Sequence, residues 1–243
     1  MARQQQHQDV NNGVEAAGAT ETWRRLYDYL WPRLEVHASR IHCCGIARLG
    51  YNPTRIPEFS AFVERVKVET GWTVVEAGGE LDPLEFFRLL ANKKFPVVRS
   101  MRPENQLYGG IDPDFWHEAF GHIPHLTDPG FSDLYHWFGC AAVQAGERNT
   151  KRVDDLSKLY WSIVEYGFLR ERRDTKLFGA ALIASPLAVE RFLAGRVRPI
   201  PFHVRGVLSA NYNPHQFQSH YVQIDSAGAA LSALKDWYSR SEN

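Results

Sequence analysis

From about Thr22 the apolar residues recur at three- and four-residue spacings: Trp23, Leu26, Tyr27, Leu30 and Leu34 form one stripe of an amphipathic helix. Pro32 lies inside this stretch and predicts a kink or a division there. The apolar positions resume through Ile41 and Ile46 and stop at Gly50. YNPTRIPEFS reads as a connector, followed by a helix over AFVERVKVETG with Ser60 as its cap and Gly71 as its stop. WTVVEAGG predicts a short strand ending in a Gly-Gly turn. In LDPLEFFRLLANKKF, Asp82 and Pro83 supply an N-cap and a proline at the first helical position, and FPVVRSMR then reads as a second strand.

PENQLYGGIDPD reads as a loop that delivers the chain to a helix around DFWHEAFG. FSDLYHWFGCAAVQAG predicts another helix, and VDDLSKLYWSIVEYGFLRER is the most strongly helical segment of the chain. KLFGAALIASPLAVERFLAG turns at Ser185-Pro186 before a further helix; NYNPHQFQSHYVQI suggests a turn and a late strand, and SAGAALSALKDWYSR a closing helix. With no repeats and no internal linker, the pattern predicts one domain of the α+β class, predominantly α with a few short strands. Residues 1–21 are polar and read as a disordered N-terminal lead-in, with the folded domain spanning 22–243.

Composition narrows the function classes. Lys plus Arg and Asp plus Glu are 28 each, so the chain carries no polycationic signature and nucleic acid is disfavoured as its main partner. No apolar run is long enough to span a membrane, and the N-terminus has no apolar core of a secretory signal. Cys43, Cys44 and Cys140 cannot build a disulfide framework, which predicts a reducing, cytoplasmic setting.

WHEAFGHIPH, residues 116–125, holds three histidines and a glutamate. The spacing from His117 to His122 is five, not the four of the zinc-peptidase pattern H-E-x-x-H. On an ideal α-helix residues five apart lie roughly 140° from each other, so convergence needs a loosened helix. Gly121 and Pro124 predict where it loosens; the alternative is two unrelated histidines.

Glu165 adds a second constraint. Between Leu159 and Leu169 every other residue except Ser162 is apolar, aromatic or glycine, the composition of a buried helix. A carboxylate there must be protonated, paired with a basic residue, or bound to a metal. Two histidines and one carboxylate are the set that holds non-haem Fe(II) with open positions, and the same three ligands also suit zinc.

HEAFGH, then YWSIVEYG, then FGAALIASP together resemble the catalytic domain of the pterin-dependent aromatic amino acid hydroxylases, with likeness to the short bacterial phenylalanine 4-hydroxylases, from Thr22 to the C-terminus. The resemblance implies His117, His122 and Glu165 as iron ligands. It implies Glu118 near the pterin, Gly79 and Leu81 as its backbone contacts, Phe86 as the ring stacked on it and Tyr160 at its border. Arg102 would clamp the substrate carboxylate through its bidentate fork, with Pro113, Trp161, Tyr166 and Ser185 around the substrate. His125 and His136 match no ligand position and read as structural or surface residues. The cofactors implied are Fe(II) and a tetrahydropterin such as tetrahydrobiopterin, with O2 as co-substrate, in a monomer or small homo-oligomer acting on a free aromatic L-amino acid.

The sequence departs from the family pattern at Ala184, where a serine is usual, at Ala181, where glycine is usual, at Tyr166 in place of phenylalanine, and at Gly110 in place of a threonine found in some members. All four bear on the substrate. The expected reaction is conversion of phenylalanine to tyrosine; the alternatives are tryptophan hydroxylation, another ring position, or a metal- or pterin-binding protein without turnover.

Overall fold

The computed structural model describes residues 2–79, 81–108, 113–210, 218 and 220–240. Helix α1, Ala2–His37, runs unbroken through Pro32. Pro32 is exposed, as is Asp28, whose carbonyl loses its usual donor, so water can replace that bond. The start of this helix falls within the stretch read as an N-terminal lead-in. Among the residues whose side chains are described, Thr22 and Trp23 are the first buried ones, where the apolar stripe starts.

Helices α2, Arg40–Leu49, and α3, Phe59–Thr70, end at Gly50 and Gly71, both in the left-handed region. The cap of α3 is Glu58, whose carboxylate accepts from the backbone N–H groups of Ser60 and Ala61, and not Ser60. A long acidic side chain one residue before the helix does the work expected of the serine. Strand β1, Thr73–Ala77, helix α4, Pro83–Ala91, and strand β2, Lys94–Val98, form a β-α-β unit with β1 and β2 parallel. Asp82 caps α4 as its sequence predicts, accepting from Leu84 and Glu85.

After a short 3₁₀ turn at Glu104–Gln106 the chain enters the motif segment, then α5, Pro129–Ala145, and α6, Thr150–Tyr160. The expected long helix over VDDLSKLYWSIVEYGFLRER does not continue to its end. Gly167 follows the turn, and Phe168–Glu171 is strand β3, paired antiparallel with β4, Asp174–Leu177. Helices α7, Ala180–Ile183, and α8, Pro186–Leu193, lead to β5, Ile200–Pro201, and α9, Val204–Ser209; these last two elements were not expected from the sequence. Strand β6, Val222–Ile224, sits between β3 and β5 and is parallel to both, giving the order β4-β3-β6-β5. Helix α10, Ala227–Arg240, closes the chain. The turn expected in NYNPHQF lies outside the described residues.

One core joins α1 to the motif segment, α5, α6 and the four-stranded sheet, with Trp23, Trp72, Trp116, Tyr135 and Phe178 among its fully buried side chains. Cys43, Cys44 and Cys140 are unpaired thiols. No helix among the described residues is long and apolar enough to cross a membrane.

Candidate active site

The five-residue spacing is resolved by a π-helical turn over His117–His122. Its hydrogen bonds run from residue i to i+5, as from Ile123 N–H to Glu118 C=O, so residues five apart fall one turn above each other. The loosening expected near Gly121 and Pro124 is this widening, which ends at His122, where a 3₁₀ turn, Ile123–Thr127, carrying Pro124 takes over. Trp116 and Phe120, stacked at 4.1 Å, hold its other face against Trp23 and Tyr27 of α1. Gly121 packs closely on Ala180: a Cβ there would lie 3.0 Å from the Ala180 carbonyl oxygen and 3.1 Å from its methyl, a tight contact. Asp114 anchors the start, its Oδ1 accepting from His117 N–H at 2.9 Å.

Glu165 sits on a second π-helical turn, Trp161–Glu165, at the end of α6, closed by a 3.0 Å bond from Tyr166 N–H to Trp161 C=O. The chain beside it is held by close backbone contact. A Cβ on Gly179 would fall 2.2 Å from the Glu165 carbonyl oxygen, and Gly179 N–H donates to Gly167 C=O at 2.7 Å. The glycine of FGAALIASP is therefore a condition for placing Glu165.

The two turns bring their side chains to one point. His117 Nε2 and His122 Nε2 are 3.0 Å apart; Glu165 Oε1 is 3.0 Å from His122 Nε2 and Oε2 is 3.4 Å from His117 Nε2. Donor atoms of His117, Glu118 and His122 also lie within 4.8 Å of one another. Burial would raise the Glu165 carboxyl, but the two imidazoles facing it hold it well below the usual carboxylate range. Burial lowers His122 despite Glu165, which favours a neutral ring with a free lone pair. Glu165 Oε2 is buried and makes no hydrogen bond among the described residues. Two facing imidazole nitrogens and a buried carboxylate oxygen are the donor set of a divalent cation, and the five-residue spacing departs from the zinc-peptidase pattern. Burial pushes Glu118 up to about 8, a shift that His117 opposes and that a bound cation would also oppose.

Arg102 and Asp114 form a buried bidentate pair, with Nε to Oδ2 and Nη2 to Oδ1 both at 2.8 Å. The aspartate holds the guanidinium in place while also starting the histidine turn. Phe86, half-buried on α4, meets Tyr160 edge-on at 5.3 Å; Tyr160 meets Tyr135 at 5.8 Å, and Tyr135 meets His122 at 6.2 Å. A row of rings thus links Phe86 to the histidines, and the Tyr160 hydroxyl is buried with no hydrogen bond among the described residues. Gly79 has φ 155°, in a conformation side-chain-bearing residues rarely adopt, and is half-buried, as are Leu81 and Pro113. Trp161 and Tyr166 stack at 6.0 Å. Ser185 Oγ caps α8 by accepting from Ala188 N–H at 3.3 Å, next to buried Ala184 and half-buried Ala181. Gly110 lies outside the described residues.

Three residues escaped the sequence reading. Asp114 was legible as an aspartate three before His117, the spacing of a helix cap. Tyr135 gave no signal, since it touches the motif only through tertiary packing. His125, read as structural or surface, is fully buried, and its Nδ1 lies 3.3 Å from the Tyr135 hydroxyl. His136 is half-buried beside the Ala91 carbonyl at 3.2 Å.

Comparison with known proteins gives the site its context. Residues 4–242 match the model of the biopterin-dependent aromatic amino acid hydroxylases. Phenylalanine-4-hydroxylase of Ralstonia nicotianae is 32% identical over 215 residues, covering 88% of this chain and 68% of that protein. The Caulobacter vibrioides phenylalanine-4-hydroxylase is 32% identical over 210 residues, covering 85% and 70%. The Chromobacterium violaceum phenylalanine hydroxylase, solved with bound iron(III) and 7,8-dihydrobiopterin, superposes with a TM-score of 0.84 at 28% identity, covering 93% of this chain and 82% of that one. The motif order, the two wide turns and these likenesses agree that this chain belongs to the biopterin-dependent aromatic amino acid hydroxylase family.

Proposed function

We propose that His117, His122 and Glu165 hold ferrous iron, and that the chain is a tetrahydropterin-dependent monooxygenase converting free L-phenylalanine to tyrosine. The observation that carries this reading is the meeting of three donor side chains, from two separate π-turns, at separations of 3.0–3.4 Å. When bound, iron and the reduced pterin together activate O2, the pterin supplying two electrons, and one oxygen atom is delivered to the aromatic ring.

The chain's own residues supply position and exclusion. Arg102, fixed by Asp114, offers its remaining N–H groups to the substrate carboxylate. Trp161, Tyr166 and Pro113 wall the side-chain pocket. Phe86 would offer a ring face to a flat heteroaromatic, with Tyr160, the backbone of Gly79 and Leu81, and Glu118 as the further residues that would hold it. The named activity of the relatives supports phenylalanine as substrate, and three unpaired cysteines support a reducing, cytoplasmic setting.

The test is incubation with Fe(II), tetrahydropterin and O2 against phenylalanine, tryptophan and tyrosine, with products identified by chromatography and mass spectrometry. Tyrosine formed with matching pterin oxidation is expected. No pterin oxidation and no hydroxylated product with any of the three would overturn the activity; product that survives Glu165→Ala would overturn the ligand set.

A further inference from the structure

Behind His122, on the side away from Glu165, lies a buried polar chain that the hydroxylation reading does not use. His122 Nδ1 is 3.1 Å from the Tyr135 hydroxyl, and the same hydroxyl is 3.3 Å from His125 Nδ1. All three side chains are buried, and Tyr135 and His125 are fully so. His125 is fixed independently, stacked on Phe178 at 4.1 Å, while His122 packs against Phe95 at 5.2 Å.

A phenol has one proton to give, and two imidazole nitrogens face it. If His122 binds metal through Nε2, its Nδ1 carries the hydrogen and donates to the Tyr135 oxygen. The Tyr135 proton is then available only to His125 Nδ1, which must present a lone pair and carry its own hydrogen on Nε2. Without that acceptor the hydroxyl could turn and donate to His122 Nδ1. That would favour the tautomer whose Nε2 bears a hydrogen and competes with the metal. His125 therefore decides which way Tyr135 points.

We propose that Tyr135 and His125 are positioning residues that together set the tautomer and ring orientation of His122 for metal binding. This rests on His122 being a metal ligand. The chain of donation runs outward from the metal: His122 Nδ1–H to Tyr135, Tyr135 O–H to His125.

The experiment uses the full chain loaded with zinc(II), with histidine ¹⁵N resonances read by NMR, and cobalt(II) affinity measured by competition titration. In the wild type, His122 is expected to carry a slowly exchanging Nδ1–H, and His125 to be the Nε2–H tautomer. Tyr135→Phe is expected to bind cobalt(II) about ten- to a hundredfold more weakly and to lose protection of the His122 Nδ1–H, in line with loss of a hydrogen-bonded partner behind a ligand. His125→Leu, with the tyrosine still present, is expected to bind on the order of tenfold more weakly. His125→Asn, whose side-chain oxygen can accept from Tyr135, should recover most of that affinity. The double variant should be no worse than Tyr135→Phe alone. A role confined to packing would change stability without moving the tautomer or the affinity. The proposal is overturned if either Tyr135→Phe or His125→Leu binds cobalt(II) within twofold of the wild type, or if His125 carries its hydrogen on Nδ1. Should Tyr135→Phe fail to fold, the wild-type tautomers alone decide. If metal leaves the wild-type His122 resonances unmoved, it is the ligand assignment that fails, a separate result.

Discussion

The two π-turns carry the same kind of residue to the same point, yet they are held in different ways. The His117–His122 turn is tied by polar side chains: Asp114 at its start, Tyr135 behind His122, and the Tyr51 hydroxyl on the Ala119 carbonyl at 2.8 Å. The Trp161–Glu165 turn is held by backbone against backbone, with Gly179 pressed on the Glu165 carbonyl and Gly167 on that of Ile163. A widened turn leaves its regular hydrogen-bond pattern and needs a reason to stay widened. One turn has bonds that a substitution can remove; the other has a fit that a substitution can only spoil.

Asp114→Ala attacks the first kind of support and is expected to have the largest effect. It removes the partner of a buried guanidinium and the cap of the histidine turn together. Breaking a buried pair from one side costs about 3–5 kcal/mol, so the urea midpoint should fall steeply and cobalt(II) binding should weaken with it. Gly179→Ala attacks the second. The added methyl would sit 2.2 Å from a carbonyl oxygen that cannot rotate away, and overpacking of this kind costs about 3 kcal/mol. Metal binding should also fail, because Glu165 must shift. A loss below about 1 kcal/mol would show that this turn yields easily, and the contrast between the two turns would collapse.

The polar side of the contrast also predicts a pH dependence. His42 is fully buried, edge-on to His125 at 5.7 Å, and burial lowers it from 6.5 to about 3. The unfolded chain therefore takes up this proton first as pH falls. The stability associated with neutral His42 is whole above about pH 6.5 and declines below it, by about 1.4 kcal/mol per pH unit. Between pH 7 and pH 5 the wild type should lose about 2 kcal/mol more than His42→Leu, measured by urea unfolding at both values. Equal losses would mean that His42 is charged, or already partnered, in the fold.

The apolar stripes located most of the helices because burial imposes a period that the sequence must carry, as Trp23 to Leu34 do on α1. The extra residue between His117 and His122 was a spacing signal: it called for a loosened helix around Gly121, and the structure loosens it as a wide turn over His117–His122. The matching turn at Glu165 left no such trace, since it carries one candidate ligand and a single residue has no spacing. The end of that segment misled for a related reason: Phe168 and Leu169 are equally apolar as strand or helix, and pairing with Leu177 and Lys176 decides between them. Tyr135 and His125 were illegible because their meaning is a shared contact with His122 across two elements.

Ser185 gives the smallest effect and the finest discrimination. The family resemblance implies that it lies beside the substrate, and the structure has its oxygen capping α8 through Ala188 N–H at 3.3 Å. A cap of this type is worth about 1 kcal/mol, so Ser185→Ala should lower stability by that amount. The hydroxyl lies on the polar-bond side of the contrast between the turns, but it supports α8 and no ligand of the metal. Cobalt(II) affinity should accordingly be unchanged, and KM for phenylalanine should stay within twofold of the wild type. A KM raised tenfold with stability intact would place the hydroxyl on the substrate instead. The neighbouring Ala184, which cannot donate a hydrogen bond, would then have left Ser185 to make the contact that a serine one position earlier makes in the family pattern.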